Sequence, residues 1–192
     1  MEKLNGKKIN TAIFISGRGS NLKSLINYNN KKSSRIIIKL VISNNSSANG
    51  LIYAKKSKIN IYVTNFKNKN LSEKKLLKKL VNNKIKLICL AGFMKVLTAD
   101  FIKKFKKPIL NIHPSLLPKY KGLNTHKRVI KNKEKYSGCT VHFVSSKLDS
   151  GKIILQKKVK INKNETVKTL SKKILAQEHK LYPKAILKIF SR

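Results

Sequence analysis

Short runs of β-branched residues alternate with amphipathic stretches through the first half of this chain, and that alternation restricts its fold more than any other feature. Residues 9–15, 36–42, 59–63, 87–90 and 109–112 read as strands, and 21–28, 47–58, 71–83 and 98–105 read as the helices between them. In the third helix Leu71, Leu76, Leu77 and Leu80 fall on one face and lysines cover the other. Strands separated by helices pair in parallel through right-handed crossovers, which gives a doubly wound α/β sheet. The pattern then changes. Residues 140–144 and 152–160 are strand-like with no helix between them, so they predict an antiparallel hairpin at the sheet edge. A final long helix over 167–190 packs back on the sheet, bent or split by Pro183.

At 192 residues the chain fits one domain, 1–192, and 41% hydrophobic content is enough for a packed core. Residues 1–10 contain no apolar stretch that could act as a signal peptide. The longest apolar run, 36–42, is broken by Lys39 and falls short of the roughly 18 residues that cross a bilayer. A soluble, cytoplasmic protein with no membrane partner is expected. Cys89 and Cys139 stand apart in apolar segments and read as two buried thiols rather than a disulfide or zinc pair, so no metal is expected. The net charge of +38 first suggests a nucleic-acid binder. The lysines, however, are dispersed over nearly every element, without a basic arm or an aromatic stacking stripe. Compositional bias towards Lys, Ile and Asn explains them better, and a general positive field would draw anionic small molecules rather than specific nucleic acid.

Three segments can carry chemistry. Ser16-Gly17-Arg18-Gly19-Ser20-Asn21 follows the first strand and opens the first helix. Its glycines permit close backbone approach, and the helix start with the Ser20 and Asn21 side chains forms a phosphate cradle. It is not a full dinucleotide fingerprint, and a tight turn with a helix cap accounts for it equally simply. Asn111 and His113, two apart at the end of the fifth strand, share one side of it. Asn can donate to a developing oxyanion and His can move a proton near neutral pH. A hydrogen-bonded structural histidine is the alternative. In Leu148-Asp149-Ser150-Gly151, Asp149 can orient His113 or can simply shape a turn. His126 and His142 read as structural, and Glu178 beside His179 as a solvated pair.

Together these segments resemble the phosphoribosylglycinamide formyltransferases, a folate-dependent family of purine synthesis, over nearly the whole chain. The match is carried by 15–22, by Leu90-Ala91-Gly92-Phe93-Met94, by Asn111-Ile112-His113-Pro114-Ser115-Leu116-Leu117-Pro118, by 138–144, by Leu148-Asp149-Ser150-Gly151 and by Gln177-Glu178-His179. The resemblance implies a Rossmann-like formyltransferase fold. It also implies formyl transfer from 10-formyltetrahydrofolate to the glycinamide amine of 5-phosphoribosylglycinamide. Asn111, His113 and Asp149 would then be the catalytic set, with His113 protonated. Gly19, Ser20, Asn21 and Glu178 would bind the phosphorylated sugar substrate, and Met94, Lys95, Val96, Leu97 and Asn111 the folate. No metal is implied, and the protein would be a monomer or weak homodimer.

The chain departs from the family pattern in places. Ser72-Glu73-Lys74 stands where relatives commonly carry a folate-contacting Arg, Asn124 stands where many have His, and the chain stops at Arg192 without the usual tail. Methionyl-tRNA formyltransferase shares the Asn-x-His motif, and formyltetrahydrofolate deformylase is a second rival. Each ordinarily needs a further domain for which 192 residues are expected to leave no room. A nucleic-acid module with no use for Asn111 or His113 is the rival of another class.

Overall fold

A computed structural model describes residues 8–190. The expected domain 1–192, and the reading of 1–10 as free of a signal peptide, run partly through residues 1–7 and 191–192, outside the described residues. The elements follow in the order β1 (Ile9–Ile15), α1 (Ser20–Asn29), β2 (Ile36–Ser43), α2 (Leu51–Lys56), β3 (Asn60–Val63), α3 (Lys69–Asn82) and β4 (Leu87–Leu90). Then come α4 (Ala99–Phe105), β5 (Ile109–His113), α5 (Thr125–Lys131), β6 (Tyr136–Phe143), β7 (Ile153–Lys160) and α6 (Val167–Phe190). They build one seven-stranded sheet in the order β3-β2-β1-β4-β5-β6-β7. Strands β1 to β5 pair in parallel and β5-β6-β7 antiparallel, the doubly wound sheet with an antiparallel edge that the sequence predicts.

Strand β1 shows why its second half, residues 12–15, is continuously apolar. Ile13 and Ile15 face a core layer containing Leu22 and Leu25 of α1 and Ile174 and Tyr182 of α6. Ala12 and Phe14 face the opposite layer, with Leu76 and Leu80 of α3 and Phe101 of α4. A strand covered on both faces has no polar side to alternate with. Each fully buried Ile or Phe here contributes roughly 1.5–3 kcal/mol from burial.

Several local expectations are corrected. Helix α2 is confined to Leu51–Lys56, because Gly50 is fixed to the β1–α1 turn by its N–H to the Gly17 carbonyl (2.9 Å). Helix α5 was not among the expected helices, and β6 begins four residues early, at Tyr136. On α3, Leu71 is 49% exposed, whereas Glu73 is buried and accepts the N–H (2.9 Å) and the hydroxyl of Thr98, the residue that caps α4. The Ser72-Glu73-Lys74 departure therefore contains an internal helix-to-helix tie.

Pro183 does not split α6, since the helix runs unbroken through it. A proline at 183 cannot donate to the carbonyl four residues earlier, that of His179. Ser24 of α1 supplies the missing donor, its hydroxyl bonding the His179 carbonyl at 3.0 Å. Five residues before Pro183 and one from the repaired carbonyl sits Glu178, so this repair also docks α6 on α1 beside that residue. Tyr182 fixes the helix from the sheet side, its hydroxyl within hydrogen-bonding distance of the Leu90 (3.0 Å) and Leu110 (3.1 Å) carbonyls.

Candidate functional site

In an open sheet of this order, ligands bind where the winding reverses, here at the carboxyl ends of β1 and β4. The loops leaving these two strands are tied together. The Ser16 N–H donates to the Gly92 carbonyl (3.1 Å), and the Met94 N–H donates to the Ser16 hydroxyl (2.7 Å), which itself bonds Asn44. Gly19 takes φ +71° at the start of α1, and no side chain caps that start, which leaves the first helical N–H groups without a side-chain partner, the arrangement that suits an anion. The close approach that Gly19 permits is to protein: a Cβ there would lie 2.4 Å from the Gly50 Cα. Gly50 is thus a second glycine of the cradle, which the sequence did not single out.

Of the residues expected around a folate, Met94 and Val96 are 63% and 53% exposed, and Lys95 is exposed, all on the β4–α4 loop. Leu97 turns into the core beside Phe101, leaving its main chain as what it can offer a ligand. Asn21 and Glu178 meet each other rather than solvent. The Asn21 Nδ2 donates to Glu178 Oε2 at 2.7 Å, and the buried Asn21 Oδ1 has no partner. Glu178 is 6% exposed, so the solvated pair with His179 does not form. Burial pushes its carboxyl up to about 7, and the single Asn21 donor only partly offsets this.

Asn111, His113 and Asp149 come together on β5. The β6–β7 loop folds back across this strand, and Gly151 makes the return possible because any Cβ there would overlap the Phe143 carbonyl. His113 Nδ1 lies 3.3 Å from Asp149 Oδ2, and Asn111 Nδ2 donates to Asp149 Oδ1 at 3.4 Å. Behind them the contacts are shorter. His113 Nε2 meets the Tyr120 carbonyl at 2.8 Å, and the Gly122 N–H donates to Asp149 Oδ2 at 2.9 Å. His142 joins the cluster: its Nδ1 faces the Phe143 carbonyl (2.8 Å) and its Nε2 faces Asn111 Nδ2 (3.2 Å). With Nδ1–H donated to Phe143, the lone pair on Nε2 accepts from Asn111 and fixes which way that amide points. The structural strand histidine expected at His142 is thus a neighbour of the cluster, placed there by the cross-strand register that pairs it with Asn111, which local sequence does not carry.

Burial would raise the Asp149 carboxyl, but the neighbouring His142 ring, the Gly122 N–H and the His113 ring outweigh it and hold the group below its usual range. For His113 burial wins. It pushes the imidazole below its ordinary value against the Tyr120 carbonyl and Asp149, which pull the other way. The protonated His113 implied by the resemblance is therefore not the favoured form of the free site. Cys89 and Cys139 are free and buried, and burial pushes both thiols up to about 12.

The formyl transferase family matches residues 9–186. The phosphoribosylglycinamide formyltransferase of Haemophilus influenzae is 41% identical over 183 residues, covering 94% of this chain and 85% of that protein. The trifunctional purine biosynthetic protein adenosine-3 of Bos taurus is 42% identical over 94% of this chain, which spans 18% of that longer protein. The crystal structure of phosphoribosylglycinamide formyltransferase from Brucella melitensis superposes with a TM-score of 0.90 at 40% identity, over 96% of both chains. With the sheet order, the cradle and the Asn111-His113-Asp149 convergence already in place, this chain belongs to the formyl transferase family.

Proposed function

We propose that the chain transfers the formyl group of 10-formyltetrahydrofolate to the glycinamide amine of 5-phosphoribosylglycinamide, giving the N-formyl product and tetrahydrofolate in purine synthesis. The observation that carries this reading is the meeting of an amide donor, an imidazole and an ionised carboxylate at the carboxyl end of β5, on the same carboxyl edge of the sheet as the uncapped start of α1. The 3.3–3.4 Å contacts between the three are loose enough for a reacting oxygen to replace them, while the 2.8–2.9 Å anchors behind hold His113 and Asp149 still.

The amine nitrogen attacks the formyl carbon, and the carbonyl electron pair moves to oxygen. Asn111 Nδ2–H and the Nδ1–H of His113 donate to that oxyanion. The free His113 is neutral with its proton on Nε2, toward the Tyr120 carbonyl, so Nδ1 takes up a proton from solvent as the substrates bind. An adjacent oxyanion favours that charged form, and the imidazolium is stabilised most when the transition state needs it. Asp149 supports the imidazolium and, through water, passes the amine proton to the departing folate nitrogen as the carbon–nitrogen bond breaks. The helix start at Gly19 and Ser20 holds the substrate phosphate, and Asn21 with Glu178 meets the glycinamide end. Met94 to Leu97 with Asn111 border the folate. Folate is a co-substrate, and the mechanism routes no step through a metal.

The unmatched lysines favour anionic substrates generally; among the described residues, lysine ion pairs with carboxylates form at Lys104, Lys119 and Lys173. Free buried thiols fit the cytoplasm, and a monomer or weak homodimer completes the reading, with gel filtration as its check. Among the described residues no helix is long and apolar enough to cross a membrane. Incubation with 10-formyltetrahydrofolate and 5-phosphoribosylglycinamide, following deformylated folate by absorbance, tests the activity. Product that forms equally without the amine acceptor would make the chain a deformylase.

A further inference from the structure

The imidazole of His113 is aimed by what lies behind it. Its Nε2 is held at 2.8 Å by the Tyr120 carbonyl, a main-chain group seven residues on in a loop. A loop carbonyl can aim a ring only if the loop itself is fixed. A polar node beneath the loop does this, built on two strands of the antiparallel edge. Thr140 pairs with His113 across β5–β6, and Gln156 pairs with Thr140 across β6–β7, so the three residues form one row across the sheet.

The Thr140 hydroxyl donates to the Ser115 carbonyl (2.6 Å) and accepts from the Leu117 N–H (3.2 Å). The Gln156 Nε2 forks, donating to the Thr140 hydroxyl (2.8 Å) and to the Leu117 carbonyl (2.8 Å). Because Thr140 has already spent its proton on Ser115, only an N–H of Gln156 can satisfy it from that side. From Ser115 the restraint continues: its hydroxyl donates to the Lys119 carbonyl at 2.7 Å, in the peptide that precedes Tyr120. A continuous series of bonds thus runs from the edge strand to the carbonyl that meets His113.

We propose that Gln156, acting with the Thr140 hydroxyl, is a positioning residue for His113: it fixes Ser115–Leu117 and so the Tyr120 carbonyl that holds the imidazole with Nδ1 turned to the reacting centre. The inference rests on the formyl-transfer reading for its kinetic part and stands on the ring's environment alone for the rest. Gln156 touches neither the cradle at Gly19 nor the β4–α4 loop, so substrate affinity lies outside its reach.

Gln156→Met keeps length and removes both donors without adding charge. The expected result is a fall in kcat of about 10-fold, with the KM of both substrates changed less than about two-fold, as a misaimed proton carrier would give. The groups facing the His113 ring are the Asp149 carboxylate, His142, His126 and Arg128, and none is altered by the substitution. A weakened Tyr120 contact removes one influence that holds the ring's titration up, so the His113 midpoint, followed by NMR, moves to lower pH in Gln156→Met. That titration reads the proposal even if the wild-type chain transfers no formyl group, which would sink the functional reading instead. Thr140→Ser, which retains the hydroxyl, keeps wild-type kcat and midpoint. A folded Gln156→Met with unchanged kcat and unchanged midpoint overturns the proposal. So does a kcat loss that follows thermal stability and vanishes on cooling, because Gln156 would then serve the fold alone.

Discussion

Asp149 and Glu178 are both shielded carboxyls, Asp149 on a half-buried loop residue and Glu178 buried in a helix, yet their environments push them in opposite directions. Asp149 has the Gly122 N–H, Asn111 and the rings of His113 and His142 around it, and is held below the usual carboxylate range. Glu178 has the one Asn21 donor and is pushed up to about 7. Burial penalises the charged form at both sites, more heavily at the deeper Glu178, and the donors around Asp149 meet a penalty that the one donor at Glu178 does not. The β5 side of the molecule thus keeps a fixed negative charge for an imidazole to lean on. The α1–α6 side keeps a carboxyl poised to change charge near neutrality, beside an Asn21 oxygen that has no protein partner.

The steepest test of this division removes the groups that lean on Asp149. Asn111→Ala and His113→Ala should each lower turnover by roughly 100-fold or more while circular dichroism stays that of the wild type. Near-normal turnover in either folded variant would take that residue out of the reacting centre.

Next comes the charge of Asp149 itself. Asp149→Asn preserves size and the bond to the Gly122 N–H but lets the His113 titration fall further, since a carboxylate that raised it is gone. Turnover should drop by about 10-fold or more, and any acidic limb owed to His113 should shift to lower pH. The stability sign follows from the depressed carboxyl. Its contribution is present above the unfolded value of 3.8 and is lost as pH falls through the lower folded value, so the Asn variant should be less stable than wild type at neutral pH. An unchanged pH–rate profile would reduce Asp149 to a turn residue.

How far the sequence reached is itself uneven across these two regions. The central parallel strands were legible because they are buried on both faces and carry apolar runs, as at residues 12–15 of β1 and in β4. Helix α5 was not, since Thr125 and Val129 are its buried residues and the rest is polar or half-exposed. The start of β6 was missed because Ser137 and Gly138 carry little strand preference. Asn111 and His113 could be placed on one side from their spacing alone. His142 joins them through cross-strand register, and the Asn21–Glu178 bond spans nearly the whole chain and depends on how α6 docks on α1. Contacts fixed by packing between distant elements leave no local periodicity to read.

The smallest expected effect on turnover, and the sharpest test of the contrast, comes from Glu178→Gln. If Glu178 meets the glycinamide end of the substrate, its loss should raise the KM for that substrate a few-fold and leave kcat nearly intact, because no reacting atom loses a partner. Stability should move opposite to the Asp149 variant. A carboxyl raised from 4.5 to about 7 supplies stability that is fully present below pH 4.5 and is lost as pH rises through 7. The neutral amide removes that loss, so Glu178→Gln should equal wild type in stability near pH 4.5 and exceed it at pH 8, by at most about 3 kcal/mol. In a chain of this size that is a rise in Tm of roughly 5 to 10 °C. Thermal unfolding of both proteins at pH 4.5, 6 and 8 gives the answer. A Glu178→Gln variant less stable than wild type at pH 8 would mean that Glu178 is ionised and fully satisfied in the fold. The two buried carboxyls would then be alike, and Asn21 and Glu178 would form a structural tie between α1 and α6 with no charge to change when substrate arrives.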